Sequence, residues 1–335
     1  MKPSAPLISI CIPLYRTEPY LSQCLCSVLL QDFSDFEVVI VSDASDGVDQ
    51  QGRRAGKIIK SVGKECATKR RKKGLKPVYI RFIENRENRG LFEVRRTLVT
   101  EAKGVYITQC DSDDTLEEGA LKAFYSAIQS GLENGKDYDI IHGTSTAGTF
   151  DEEDNFTPTK NNVHSLIYYG ELTGCEIFRG WLLEHKCTAN TWGKLIKREI
   201  YLEAYNHIPY TECNLAEDVL HFVFISHLAK SYIGIRDKVY RYRVNVGMTG
   251  ANKITSLDKW KLSCSAASVF GIISTVLKAE PDELEALKQL ACGYVANNLQ
   301  TLKKNVVPEL QKEAYDMLCD YWGRDFVEII ENKSI

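Results

Sequence analysis

Residues 104–114 read Gly104-Val105-Tyr106-Ile107-Thr108-Gln109-Cys110-Asp111-Ser112-Asp113-Asp114. A short apolar run ends abruptly in an acidic turn. Strands buried on both faces read as near-continuous apolar runs, which is the habit of a parallel sheet. The same arrangement occurs upstream. Residues 7–13 form a compact apolar run followed by Leu14 and Tyr15, and residues 36–41 (FEVVIV) are followed by Ser42 and Asp43. Residues 78–83 supply another strand. Helical spacing lies between these runs, with Leu21, Leu25, Val28 and Leu29 in residues 20–30 and a second helix over 91–102. The alternation predicts βαβ units and an α/β fold, a mostly parallel sheet with helices on both faces. Ligands of such sheets bind beyond the carboxyl ends of the strands. Here those ends carry Pro13, Tyr15, Asp43 and the acidic turn.

The composition narrows the function. The chain has 335 residues, a formal net charge of -3 and 44% hydrophobic residues, enough for a sizeable core and too apolar for a disordered chain. The near balance of charge argues against a general nucleic-acid binder. Residues 1–6 lead into a strand-like run instead of a long apolar core, so a secretory signal is not expected. No run reaches the roughly 18 apolar residues of a membrane span. The 11 cysteines contain no CxxC pair, and buried or free thiols in a reducing cytoplasm are expected. His221 and His227 lack metal spacing and are expected to pack or to lie at the surface. No GxGxxG follows a strand, which disfavours a dinucleotide dehydrogenase, and no Walker A motif is present.

Downstream, Thr115 with Glu118 reads as a capping box opening a helix through 128. Residues 137–141 and 232–244 read as strands. A polar–apolar block over 188–205 contains Trp192-Gly193-Lys194-Leu195. Glu217-Asp218 introduces an apolar helix over 219–228. The tail from about 256 reads as helical, with Pro281-Asp282-Glu283 as a helix start and Leu284, Leu287, Ala291, Tyr294, Val295 and Leu302 on one face; Pro308 starts another helix.

Several residues have two readings. Asp111 and Asp113, on alternate positions of a tight turn, can share a divalent ion through oxygen ligands, or they cap a helix. Thr115 already supplies a cap, which leaves both carboxylates to be explained. Asp43 forms an Asx-turn or accepts a hydrogen bond from a polar ligand edge. Tyr15 is a half-buried aromatic or stacks on a ring. Arg95 or Arg96 reaches a phosphate or carboxylate at the same edge; for Arg96 and Arg89 a solvated helix face serves equally. Glu217-Asp218 complements the positive end of a helix dipole. Trp192 packs in the core or faces a ligand.

Four segments taken together, Ser9-Ile10-Cys11-Ile12-Pro13-Leu14-Tyr15, Val39-Ile40-Val41-Ser42-Asp43-Ala44-Ser45, Glu87-Asn88-Arg89-Gly90 and Asp111-Ser112-Asp113-Asp114, resemble glycosyltransferase family 2 with the GT-A fold, in order and interval over about 115 residues. Trp192-Gly193-Lys194-Leu195 followed by Leu215-Ala216-Glu217-Asp218-Val219-Leu220 is similar to bacterial members that elongate surface oligosaccharides, including lipooligosaccharide galactosyltransferases. The resemblance fades after about 250. It implies an inverting, metal-dependent transfer from a UDP-sugar to an oligosaccharide or glycolipid hydroxyl. Residues 1–115 would bind the nucleotide sugar, 116–250 the acceptor, and 251–335 form a C-terminal helical region. Pro13, Tyr15, Asp43, Arg95, Asp111 and Ser112 would hold the nucleotide sugar. Asp111 and Asp113 would hold Mn²⁺ or Mg²⁺. Asp218 would be the catalytic base, with Trp192, Lys194 and Glu217 on the acceptor side. Ser42, Ala44 and Arg96 depart from residues frequent in the family at those places. A cytoplasmic enzyme follows, with peripheral contact at the inner face of the membrane and oligomerisation both compatible with it.

Two other functions share part of this pattern. A sugar nucleotidyltransferase would also use carboxylates, a metal and a parallel sheet, but would need a glycine-rich basic loop where residues 13–19 offer only Arg16. A nucleotide-sugar-binding module without catalysis is the third reading. The basic run Lys69-Arg70-Arg71-Lys72-Lys73 forms a solvated face or meets an anionic lipid or glycan. Gly247-Met248-Thr249-Gly250 reads as a loop closing over the donor, or as a plain turn.

Overall fold

The computed structural model describes residues 5–151, 153–159, 166–211, 213–246 and 253–333. Seven consecutive buried residues make β1 (Ile8–Leu14), and seven more make β2 (Phe36–Ser42). Their side chains alternate between two cores. Ile8, Ile10, Ile12, Val38 and Ile40 enter one, and Cys11, Val39 and Val41 the other, as the two-residue period of a strand requires. Helices α1 (Glu18–Leu29) and α2 (Ala55–Lys72) pack into the first core. After β3 (Tyr79–Glu84), α3 (Leu91–Glu101) packs into the second. With β4 (Tyr106–Gln109) the four strands lie in the order β3-β2-β1-β4, all parallel. The three loops that leave β1, β2 and β4 therefore emerge at one edge.

Further along the chain come β5 (Thr115–Leu116), α4 (Ala120–Glu133), β6 (Ile140–Phe150), β7 (Phe156–Pro158), β8 (Glu171–Thr173), α5 (Cys175–Leu182), β9 (Lys194–Lys197), α6 (Arg198–His207), α7 (Glu217–Leu228) and β10 (Ser231–Arg243). They extend the same sheet in the order β4-β9-β6-β10-β5. β9 is antiparallel to β4 and β6, and β10 runs parallel to β6. α8 (Leu257–Cys264), α9 (Ala266–Val276), α10 (Pro281–Asn305), a 3₁₀ turn (Pro308–Leu310), α11 (Gln311–Trp322) and α12 (Arg324–Lys333) complete the chain. α9 and Leu287 of α10 join the second core. Trp260, Val295, Leu299, Leu318 and Val327 form a separate cluster, in which the indole N–H of Trp260 donates to the Ala314 carbonyl at 2.7 Å. Among the described residues no helix is long and apolar enough to cross a membrane.

Three local readings change. Thr115 does not open a helix. It lies in β5, paired to Arg241 of β10, and α4 starts at Ala120 after Gly119 turns the chain at φ 79°. Strand pairing through the backbone outweighs a local cap. The basic run is the last turn of α2 and is not uniformly solvated. Arg70 is buried, and its guanidinium donates to the carbonyls of Lys76, Leu29, Gln31 and Phe33 at 2.6–3.1 Å. Arg96 is not on a free face either. It donates to the carbonyls of Tyr205, Ile208 and Pro209 at 2.9–3.0 Å and lies over Phe92 and Tyr205. Residues 247–250 lie outside the described residues.

Candidate active site

Beyond β4 the chain turns at Asp111-Ser112-Asp113-Asp114, and the four residues divide. Asp114 points inward and is buried. One of its oxygens accepts from the Tyr240 hydroxyl at 2.7 Å, and the other from the Arg243 backbone N–H at 2.7 Å. Burial and the neighbouring carboxylates raise its pKa well above the usual carboxylate range. It ties the turn to β10. Ser112 is buried and shares a 2.6 Å hydrogen bond with the Thr17 hydroxyl. Asp111 and Asp113 are half-buried and line a cleft of about 1720 Å³.

Arg95, on α3, is buried beneath that cleft. Its guanidinium donates to Asp111 at 2.9 Å and to the Thr191 hydroxyl at 3.3 Å, and lies 3.6 Å from Glu217. Burial works against its charge, but Asp111 and Glu217 more than offset it and raise its pKa. Arg95 thus joins the acidic turn of β4 to the start of α7, residues more than 100 positions apart.

Glu217 and Asp218 are the first two residues of α7 and both line the cleft. Glu217 is the more buried. Burial and Asp218 push its pKa up to about 8, against the pull of Arg95. Asp218 is half-buried, accepts from the Val219 N–H at 2.8 Å, and is raised by burial. Ala216 ahead of them takes φ 64°. Arg16, after Tyr15, takes 56°, and Ala44, after Asp43, takes 54°. Left-handed backbone at non-glycine residues costs roughly 1–3 kcal/mol each and clusters at functional sites. Three of the six such residues among the described residues adjoin expected site residues.

Pro13, Tyr15 and Asp43 line the same cleft. Tyr15 is 43% exposed, with the Arg16 guanidinium 5.0 Å from its ring centre. Asp43 is buried. Its carboxylate accepts from the Asn85 side chain at 2.8 Å and from the N–H groups of Arg89 and Gly90 at 2.9 Å, which organises the loop before α3. Trp192 lines the cleft and stacks on Tyr240 and Tyr242, with ring centres 4.9 and 5.4 Å away. Lys194 is not part of the cleft wall. It is buried, donates to the carbonyls of Thr188 and Asn190, and burial pushes its pKa down to about 8. It lies within electrostatic reach of Asp218 from behind.

The donor set fits a hard divalent ion. Burial, and then the charge of Asp111, push Asp113 up to about 6, and a cation at the turn would favour its ionised form. Both candidates are oxygen ligands. Among the described residues no group of three or more His, Cys, Asp or Glu side chains that could hold a metal gathers there or elsewhere.

Asp114, Thr191, Tyr240 and Arg243 were not singled out from the sequence as parts of this framework. Asp114 differs from Asp113 only in which way the turn points it. The other three are brought in by sheet pairing that no local pattern announces.

Glycosyl transferase family 2 matches residues 9–192, more than half of the chain, and the protein belongs to that family. It is a glycosyltransferase. It is 25% identical over 248 residues to Glycosyltransferase GlyG of Streptococcus pneumoniae, covering 72% of each chain. It is 24% identical over 243 residues to Glycosyltransferase GlyA of the same organism, with 72% of this chain spanning 31% of that one. Over 191 residues it is 32% identical to chondroitin synthase of Escherichia coli, 56% of this chain against 23% of that one. The chain thus spans less than a third of the latter two. The fold is similar to that of S. aureus TarS 1–349 in complex with UDP-GlcNAc, with a TM-score of 0.53, 18% identity and coverage of 97% and 92%. It also resembles the mannosyltransferase PcManGT of Pyrobaculum calidifontis in complex with GDP-Man and Mn²⁺, with a TM-score of 0.52, 15% identity and coverage of 99% and 87%. At such identities the match carries the fold, a GT-A sheet flanked by helices with a C-terminal helical region.

Proposed function

We propose that this glycosyltransferase moves a sugar from a UDP-sugar to a hydroxyl of a bacterial surface glycan, with inversion at the anomeric carbon and with a divalent cation. The observation that carries this reading is the convergence on one cleft of the Asp111/Asp113 pair beyond β4 and Asp218 at the start of α7, with Arg95 between them. The UDP-GlcNAc complex of TarS supports a uridine nucleotide, and the Mn²⁺ complex of PcManGT supports a divalent ion.

Each residue has a role in this reading. Tyr15 offers an exposed ring to the nucleobase, with Pro13 beside it. Asp43 shapes the pocket by fixing the loop before α3, and its carboxylate faces the base. Ser112 holds the turn in place. Asp111 and Asp113 would hold Mn²⁺ or Mg²⁺, which would supply positive charge for a leaving diphosphate. Asp218 accepts the proton of the attacking acceptor hydroxyl, whose oxygen bonds the anomeric carbon as the bond from that carbon to the diphosphate oxygen breaks. A base is most effective when its pKa approaches the working pH, and burial moves Asp218 in that direction. Glu217 keeps Arg95 in position.

A panel of nucleotide sugars, assayed for UDP release with and without chelator, tests the reading. Release of UDP that stops on chelation and depends on Asp218 supports it. Turnover by Asp218→Asn at the wild-type rate removes Asp218 as the base. Pyrophosphate as the product assigns a nucleotidyltransferase instead. UDP-sugar binding without turnover assigns a binding module.

A further inference from the structure

The long helix α10 forms a wall of the cleft. Glu285, Gln289, Gly293 and Asn297 recur every fourth residue, are all exposed, and all line it. The opposite face is buried through Leu287, Val295 and Leu299. Arg179 of α5 pairs with Asp282 and Glu283 and clamps the start of α10 to the half of the protein that carries α7. Tyr294 also lines the cleft. Its hydroxyl lies within electrostatic reach of Asp218 and Glu217. The wall is therefore continuous with the site of proton transfer.

Gly293 has no structural reason to be glycine. It sits inside a helix without a positive φ, and nothing lies within 4 Å of where its Cβ would be. Glycine weakens a helix interior relative to alanine. What it leaves at this position is open volume, and that volume belongs to the cleft. The polar groups on either side, the amides of Gln289 and Asn297, can each donate and accept, which matches hydroxyl groups. Arg179 offsets Asp282, and among the other charged lining residues of α8 and α10 Asp258 and Glu285 outnumber Lys259. A polyanion would meet like charge there.

We propose that α10 is the acceptor wall, and that it receives an uncharged glycan whose ring lies over Gly293 between Gln289 and Asn297. This rests on the glycosyl-transfer reading above and adds the acceptor's place and charge. The test uses a neutral hexoside and the matching hexuronide as acceptors. In Gly293→Phe the KM for the neutral acceptor should rise at least tenfold, while the Kd for UDP by calorimetry stays within twofold of wild type. The double variant Gln289→Ala/Asn297→Ala should raise that KM three- to tenfold. Gly271→Ala, on the exposed side of α9 where a Cβ also meets nothing, should leave KM unchanged. A Gly293→Phe protein with wild-type acceptor KM overturns the proposal, as does a tenfold preference for the hexuronide. Saturation-transfer NMR with neutral methyl glycosides separates the two readings. If UDP does not bind the wild-type protein, the donor assignment fails. Glycoside binding that is lost in Gly293→Phe still supports the α10 wall, and binding that persists overturns it.

Discussion

Two acidic clusters lie along the cleft, and each divides its work between neighbours. At the turn beyond β4, Asp114 is buried with two good donors, while Asp113, one residue earlier, stays at the cleft. At the start of α7, Glu217 is buried beside Arg95, and Asp218 is half-buried at the cleft. The clusters differ in how the inner carboxylate is satisfied. Asp114 has hydrogen bonds at 2.7 Å to both oxygens, whereas Glu217 has a guanidinium 3.6 Å away. The inner acid of the turn holds the fold, and that of α7 tunes the site. Burial raises the pKa of both, but only Glu217 lines the cleft, so its pKa is the one that function can use.

The largest effect should come from Asp218→Asn, which is expected to lower transfer by about 10²–10⁴-fold, the usual contribution of a general base, with UDP affinity intact. Steady-state transfer and calorimetry check this pair of outcomes. An equal loss from Glu217→Gln would erase the proposed division at α7. Next comes the contrast within the turn. Asp113→Asn should lower transfer by about 10²–10³-fold, the cost of losing one charge-stabilising group, and leave thermal stability close to wild type. Asp114→Ala should lose about 2–3 kcal/mol of stability, because it strands the Tyr240 hydroxyl and the Arg243 N–H. Urea titrations of the two variants decide whether the neighbours differ as described.

A pH series tests Glu217 itself. With its pKa pushed up to about 8 from 4.5, Glu217 carries a proton in the folded state across a window where the unfolded chain does not. The fold then binds more protons, so this group's contribution to stability falls as pH rises from about 4.5 to 8. Glu217→Gln should flatten that slope in thermal unfolding between pH 5 and pH 8.5. The smallest effects belong to the basic run. Replacing Lys69, Arg71, Lys72 or Lys73 singly by Ala should change stability by less than about 0.5 kcal/mol, whereas Arg70→Met should cost about 2 kcal/mol through its unpaired carbonyls. If the exposed part of the run meets an anionic membrane, each removed charge should weaken vesicle binding by about 1 kcal/mol.

Much of the sheet was legible because buried parallel strands are written as continuous apolar runs. β1 and β2, with seven buried residues each, are plain to see. α2 was not, because its apolar residues Ile58, Ile59, Val62 and Cys66 are diluted by lysines and arginines that its solvent face requires. The fate of Arg70 depended on the carbonyls at the end of α1 and beyond, which only packing brings within reach. α10 was readable as a helix from Pro281 onward, but its role as a cleft wall was not.

From its residues alone the chain determined an α/β architecture and the strand ends at which chemistry would gather, because both depend on short-range patterns of burial and turn formation. Tertiary structure decided which carboxylate of each acidic cluster turns inward, that Arg95 bridges Asp111 and Glu217, that Lys194 withdraws from the wall, and that α10 borders the cleft. Those outcomes follow from contacts between distant parts of the chain. Their energies depend on burial and on the direction of each side chain, and neither is carried by the local order of residues.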